Sequence, residues 1–254
     1  MNIVVVGGNG LVGRNVVRRL RAKGHQVAAA SRVSGVDIVT GEGLAQALQG
    51  ADVVVDVSNS PVLTGEAPCA FFEAAIGNLL EAEAAAGVQH HLSLSVVGTE
   101  RLADSPYFRG KAFQEERIRA SGIPYTIVHA TQFFEFLLDI VEVSVYDQAL
   151  RLAPAYIQPV ASADVAACLA ELAVRPPLNA VLEMAGPECE RMSEIIQRFL
   201  TQIEAPYEVV TDALAPYFGA RLDSNSLLPG ASARLCATDF GAWLNQSEYW
   251  GANW

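Results

Sequence analysis

A chain of 254 residues with a formal net charge of -11 is a poor partner for nucleic acid or for an anionic membrane surface, since both would repel it. Hydrophobic residues make up 51% of it, enough to bury one sizeable core, yet no apolar run reaches the roughly 18 residues that a membrane span needs. Cys69, Cys168, Cys189 and Cys236 and the four histidines show no disulfide or metal-ligand spacing, so a reducing, cytoplasmic setting without a metal is expected.

Residues 2–6, Asn-Ile-Val-Val-Val, predict a strand buried on both faces, and no basic leader of a signal peptide precedes them. Gly7-Gly8-Asn9-Gly10-Leu11-Val12-Gly13 follows, then Val16, Val17 and Leu20 at helical spacing, Gly24, and a second strand over residues 26–30. Strand, glycine turn, helix and strand in that order predict a dinucleotide-binding unit. Its glycines let the backbone approach a pyrophosphate, whose charge the helix N-terminus meets. The spacing by itself is common; its place directly after an apolar strand sharpens it. An NAD site usually ends its second strand with Asp or Glu for the ribose 2′-hydroxyl, whereas this chain has Ser31 and Arg32. A guanidinium there would pair with a 2′-phosphate, so NADP(H) is the expected cofactor, an ordinary solvated arginine being the other reading.

Val36-Asp37-Ile38 predicts the end of a third strand with Asp37 and Ile38 beside the adenine, or else a plain loop. Residues 44–48 read as a short helix closed by Gly50. Residues 52–56 read as a strand from which Val57, Ser58 and Asn59 leave at the carboxyl edge, where open α/β sheets bind ligands. An Ala-rich helix over 67–87 and a strand over 91–97 carrying Ser95 come next. Ser105-Pro106 opens a helix running to 121. Within it Tyr107 and Lys111 lie one turn apart on a shared face, and an ammonium beside a phenol should lower the phenol's pKa. On any helix such a pair can also be plain surface. Of seventeen basic residues, however, only Lys23 and Lys111 are lysines. Residues 125–128 predict a strand, and His129 to Phe136 leave the sheet edge with three phenylalanines. A helix over 162–172 with Ser162 as N-cap, a strand over 181–184, an amphipathic helix over 192–203 and an irregular tail ending in the aromatic stretch 248–254 complete the chain.

These residues resemble a known family, the short-chain dehydrogenase/reductases in their atypical, NmrA-like branch. The resemblance rests on Gly7-x-x-Gly10-x-x-Gly13, Ser31-Arg32, Tyr107-x-x-x-Lys111, the stretch 121–128 leading into 130–134, and the tail 238–244. It implies an α/β fold, a doubly wound parallel (Rossmann) sheet, in one domain spanning 1–254. A small, irregular, α-rich substrate lobe would come mainly from 133–160 and 185–254. By the same resemblance Ser95, twelve residues before Tyr107, would donate to the substrate carbonyl. Tyr107 would be the general acid, and Lys111 would hold the nicotinamide ribose while lowering the tyrosine pKa. Asn59 and the backbone around Ala130 and Thr131 would lie against ribose and nicotinamide. His129 stands where many relatives have Arg, as a substrate or proton-relay group or as a structural neighbour. Gln132, Phe133 and Phe134, with Phe136, would wall the substrate, or the aromatics are core. The implied function is an NADPH-dependent reductase of a small apolar carbonyl or activated double bond, acting as monomer or homodimer. The competing reading is a non-catalytic NADP-binding redox sensor of the NmrA type, although such sensors usually lack the tyrosine. A nucleotide-sugar epimerase is disfavoured by the short stretch after residue 184.

Overall fold

The computed structural model of the protein describes residues 1–146 and 149–247, so the aromatic tail 248–254 lies outside the described residues. The first half alternates strand and helix: β1 (Asn2–Val6), α1 (Leu11–Ala22), β2 (Gln26–Ala30), α2 (Leu44–Ala47), β3 (Val53–Asp56), α3 (Ala67–Ala86), β4 (His90–Val96), α4 (Pro106–Ala120) and β5 (Tyr125–Ala130). The second half is less regular: α5 (Leu137–Ser144), β6 (Val145–Tyr146), β7 (Ala149–Leu152), β8 (Tyr156–Ile157), α6 (Ser162–Leu172), β9 (Ala180–Ala185), β10 (Glu190–Arg191), α7 (Met192–Gln202), β11 (Glu208–Thr211), β12 (Arg234–Leu235) and α8 (Phe240–Leu244).

Seven parallel strands form the central sheet in the order β12-β9-β5-β4-β3-β1-β2. Ile3 to Val6 are buried on both faces, as their unbroken apolar run requires. Helices α1 and α6 cover one face and α3 and α4 the other, so the sheet is doubly wound. The strand order turns at β1: β2 pairs on one side and β3 on the other. Ligands of open α/β sheets bind outside that turning point.

The strand expected at 36–38 does not form. After β2 the chain makes a 3-10 turn at Arg32–Ser34, and only a single bridge joins Asp37 to Glu42. The loop folds back on itself so tightly that a Cβ on Gly43 would lie 2.3 Å from the Gly35 carbonyl. The sheet therefore ends at β2 instead of gaining one more strand there. Ser162 also departs from expectation. Ala161 takes the position before α6, while the Ser162 hydroxyl donates to the Glu135 carboxylate at 2.6 Å and its N–H follows at 3.2 Å. An acidic side chain from a different segment thus meets the helix N-terminus.

The lobe over the carboxyl edge is built from α5, α7, α8 and two small sheets, β11-β7-β6 and β10-β8. Its own core gathers Phe134, Leu137, Ile140, Phe199 and Trp243. The lobe segment returns to the main sheet, where β12 pairs parallel with β9. Among the described residues no helix is long and apolar enough to cross a membrane.

Candidate dinucleotide and substrate site

The turn after β1 is shaped for close approach. Gly7 (φ 77) donates its N–H to the Ala30 carbonyl at 2.9 Å, and a Cβ there would lie 2.8 Å from the Val57 carbonyl. A Cβ on Gly13 would lie only 2.2 Å from the Gly7 carbonyl, so α1 can start against β1 only with glycine at both places. The first turn of α1 holds no acidic residue, and Gly10 offers no side-chain cap, which leaves its N–H groups to an anion. Asn9 lies off the cavity and clamps the turn to β2 through Nδ2 donating to Ser31 Oγ at 2.8 Å.

From this turn a cavity of about 410 Å³ runs to the lobe. Gly7, Gly10, Leu11, Val12, Ser31, Val57, Ser58 and Asn59 line its first part; Ser95, Tyr107, Lys111, Ala130, Thr131, Gln132 and Phe133 line its far part. The Ser58 hydroxyl is buried without a partner, and the space reaches from free helix N–H groups to Tyr107. These residues fit a dinucleotide. Arg32 is exposed just beyond the Ser31 edge, outside the cavity lining, while Asp37 and Ile38 lie further off. Asp37 accepts from the Val39 N–H, and the Ile38 carbonyl is held by Asn78.

Tyr107 and Lys111 share a face of α4, as their spacing predicts, yet their electrostatics differ from expectation. Lys111 is 2% exposed and donates to the Leu94 carbonyl (2.8 Å) and Gln114 Oε1 (2.5 Å), with its ammonium 4.7 Å from the centre of the Phe72 ring. Gln114 in turn donates to Asp56 at 2.8 Å. Burial pulls Lys111 down to about 8, against the Asp56 and Glu115 carboxylates that hold it up. Burial pushes the Tyr107 phenol up to about 12, with Asn59 pulling weakly the other way. In the protein alone the phenol thus moves opposite to the expected direction: burial raises it, while the Lys111 ammonium is engaged by Leu94 and Gln114. Two of its three N–H groups are used there, leaving one for the cavity.

Ser95 lies on the cavity wall, but its hydroxyl donates to Glu115 Oε1 at 2.6 Å. Glu115 is held below the usual carboxylate range by hydrogen bonds and charge from His129 (2.8 Å), by Ser95 and by Arg119 (2.7 Å), which outweigh its burial. An ionised carboxylate only accepts, so the single hydroxyl hydrogen of Ser95 is committed, and Ser95 presents lone pairs to the cavity. The donor role expected for it does not fit this arrangement. His129 belongs to the same cluster and points away from the cavity, so its placement against the substrate is corrected too. Phe134 is likewise core, stacked on Trp243 at 5.3 Å between ring centres, whereas Phe133 and Phe136 stack on each other and do line the cavity. The remaining wall was not foreseen: Leu63, Phe108, Asp139, Ile140, Tyr217 and Phe218. Tyr217 and Phe218 come from a lobe segment without regular pattern, and no spacing in the sequence marks them.

The glycine turn at the sheet's turning point, the free helix N-terminus and the cavity beyond define a dinucleotide-binding protein of the Rossmann type. Residues 7–176 match the NAD(P)H-binding family, and the chain belongs to it. This agrees with the resemblance to atypical short-chain dehydrogenase/reductases. Among curated proteins the chain is similar to a photosystem II assembly factor, Ycf39, of Cyanophora paradoxa, with 27% identity covering 78% of this chain and 67% of that one. The Ycf39 protein of Trieres chinensis is also 27% identical, over 55% of this chain and 48% of its own. Among solved structures, a dTDP-glucose 4,6-dehydratase of Streptomyces venezuelae matches with TM-score 0.70 and 18% identity over 99% of both chains. The UDP-glucose 4-epimerase of Thermus thermophilus matches at 0.67 and 18%, over 90% of this chain and 92% of that one. An NADPH-dependent quinone oxidoreductase of Escherichia coli matches at 0.63 and 21%, over 84% and 78%. These structural likenesses are likenesses of fold.

Proposed function

We propose that this chain is an NADPH-dependent reductase that acts on a small, uncharged, apolar carbonyl or activated double bond, with Tyr107 as general acid. The observation that carries the reading is the Tyr107 phenol on the wall of one cavity that begins at the glycine turn and ends among lobe aromatics. A bound NADPH would supply the hydride. Tyr107 would donate its proton to the substrate oxygen or α-carbon, and a phenol raised to about 12 holds that proton throughout the neutral range. Lys111 would turn its remaining N–H toward the cofactor ribose. Ser95 would accept from a hydroxyl at the reacting centre, its polarity set by Glu115. Arg32 would meet a 2′-phosphate at the exposed end of β2.

The nearest polar groups also bear on substrate class. Among the described residues Lys111 is the one basic side chain on the cavity wall, and it is held by Leu94 and Gln114, while Asp139 adds a carboxyl. A nucleotide-sugar diphosphate would find no cation to meet it, which favours a neutral substrate over the epimerase chemistry of some fold neighbours.

The test is NADPH oxidation against a panel of quinones, aldehydes and enones with wild type, Tyr107→Phe and Lys111→Met. The proposal expects the tyrosine variant to lose about 10²-fold or more in turnover while keeping NADPH affinity. Turnover unchanged in both variants would sink the assigned roles. A binding-only protein, the second reading, is favoured by the names of the curated relatives and by a lysine already engaged by Leu94 and Gln114. Tight NADPH binding with no turnover on any member of the panel would decide for it.

A further inference from the structure

Beyond the dinucleotide residues the cavity continues into a compartment whose walls are two groups of rings. On one, Tyr107, Phe108, Tyr217 and Phe218 make successive ring contacts at 5.6, 6.5 and 4.8 Å between centres. On the other, Phe133 and Phe136 stack at 5.3 Å with 30° between planes. Such walls suit a flat ring, which gains from faces and edges alike.

Gln132 interrupts the aromatic lining. Its backbone is fixed, because the Gln132 carbonyl accepts from the Val160 N–H at 2.9 Å and Phe133 bridges to Val160. Its side chain is a different matter. The residue is 6% exposed, and neither the amide nitrogen nor the amide oxygen has a hydrogen-bond partner. The Tyr217 phenol lies next to the amide without making a well-formed hydrogen bond to it. A buried carboxamide with both functions unmet is rare in native proteins. Here it sits on the wall of the substrate compartment, on rigid backbone, beneath a lobe tyrosine.

We infer that Gln132, with Tyr217 over it, is the specificity element of this compartment, and that its ligand is a flat, uncharged ring compound carrying a hydrogen-bond donor next to a carbonyl acceptor. A carboxamide offers one donor and one acceptor side by side, and its complement is an N–H or O–H adjacent to a C=O on the ligand. A carboxylate ligand lacks the donor and would face Asp139 on the same wall. An aliphatic chain would leave the ring faces and the amide unused. Aminoquinones, hydroxylated cyclic enones and lactam-bearing aromatics belong to the class; plain hydrocarbon-substituted rings do not. A site built to hydrogen-bond a ligand rejects an analogue that leaves its polar groups unpaired.

The inference rests on the reductase reading for the direction of chemistry, and its test is made on binding so that the two can fail separately. The protein, saturated with NADP⁺ so that no turnover occurs, is titrated calorimetrically with 2-amino-1,4-naphthoquinone and with 2-methyl-1,4-naphthoquinone. The two rings match in size, and only the first places an N–H beside a carbonyl. The amino compound should bind at least tenfold more tightly. Gln132→Leu should abolish that preference while leaving NADP⁺ affinity within about twofold, and Tyr217→Phe should reduce it. Equal binding of the two compounds by wild type, or a preference that survives Gln132→Leu, overturns the assignment. So does an equal loss of NADP⁺ binding in Gln132→Leu, which would give the amide to the cofactor. Failure of both rings to bind a protein that holds NADP⁺ overturns the ring-compound class. NADPH oxidation over the wider panel would still test the reductase reading by itself.

Discussion

Lys111→Met is the substitution whose consequence can be worked most directly from the structure. Methionine keeps most of the stem volume against Phe72 but removes the ammonium and the bonds to Leu94 and Gln114. In the unfolded chain this lysine titrates near 10.5, and in the folded protein near 8. Between those values the folded state binds fewer protons, so the site's contribution to stability rises with pH from about 8 to 10.5. It is lost as pH falls through 8. At about 1.4 kcal/mol per pKa unit the full swing is about 3 kcal/mol. At pH 7 the variant therefore loses two hydrogen bonds, each leaving a buried partner at about 1–3 kcal/mol, but escapes the cost of burying a charge. At pH 10.5 that relief is gone, because the wild-type amine is neutral. The stability gap between wild type and variant should widen by about 3 kcal/mol across this range. For a chain of this size that is roughly 6–12 °C in Tm. Urea denaturation of both proteins at pH 7, 8, 9 and 10.5 measures it. A gap that stays constant, or narrows, would mean that Lys111 is not desolvated behind β4 and that the polar chain to Asp56 is wrong.

Three further substitutions separate the parts of the site. Arg32→Ala should weaken NADPH at least tenfold and NADH less than about twofold in fluorescence titrations, since only one of them has a phosphate to lose; equal losses would refute the contact. Gly13→Ala puts a methyl 2.2 Å from the Gly7 carbonyl, so α1 must shift at a cost of about 1–3 kcal/mol, and dinucleotide binding should fall with it. Wild-type affinity in that variant would show that the turn does not need close packing. Glu115→Gln leaves Ser95, His129 and Arg119 without their carboxylate and should cost about 3–5 kcal/mol in urea at neutral pH. Because Glu115 is held below its ordinary 4.5, its contribution is complete above that value and fades as pH falls below it. A variant equally destabilised at pH 3.5 and 7 would contradict the ion-pair account.

The dinucleotide half was legible because its constraints are local. The apolar run of β1, the glycines at 7, 10 and 13, and the helical spacing of Val16, Val17 and Leu20 each report on a backbone path that few other residues permit. The pair Tyr107 and Lys111 was legible for the same reason, being fixed by one turn of α4. Where the reading failed, the deciding contact was distant in sequence. Spacing placed the lysine beside the phenol but could not place Leu94, Gln114 and Asp56 behind it. Ser95 was found on the right strand, whereas His129, read as leaving the sheet after residue 128, lies within β5; both side chains answer to Glu115, a helix residue that periodicity marks only as sharing a face with Lys111. The strand expected at 36–38 failed because the alternation of Val36 and Ile38 is too short to outweigh the folded-back glycine loop around it. Tyr217 and Phe218 had no pattern at all, since an irregular lobe segment carries no period to read.

The protonation states of Tyr107 and Lys111 have a consequence for the proposed chemistry. A phenol at about 12 and an ammonium at about 8 have both moved toward their neutral forms, the opposite of a phenolate paired with a cation. A phenol raised in this way keeps its proton throughout the neutral range, which is the protonation state that a reduction draws on. Reduction needs the donor, whereas oxidation of an alcohol needs the base. Glu115 fixes the other polar group of the site: by taking the Ser95 hydrogen, it leaves Ser95 as an acceptor and not as a donor to a substrate carbonyl. Carbonyl activation therefore falls on Tyr107 alone, and the wall around it is apolar enough to keep that one hydrogen bond strong. On the reductase reading, the buried groups behind β4 and α4 set the resting protonation state of the site as well as the stability of the fold.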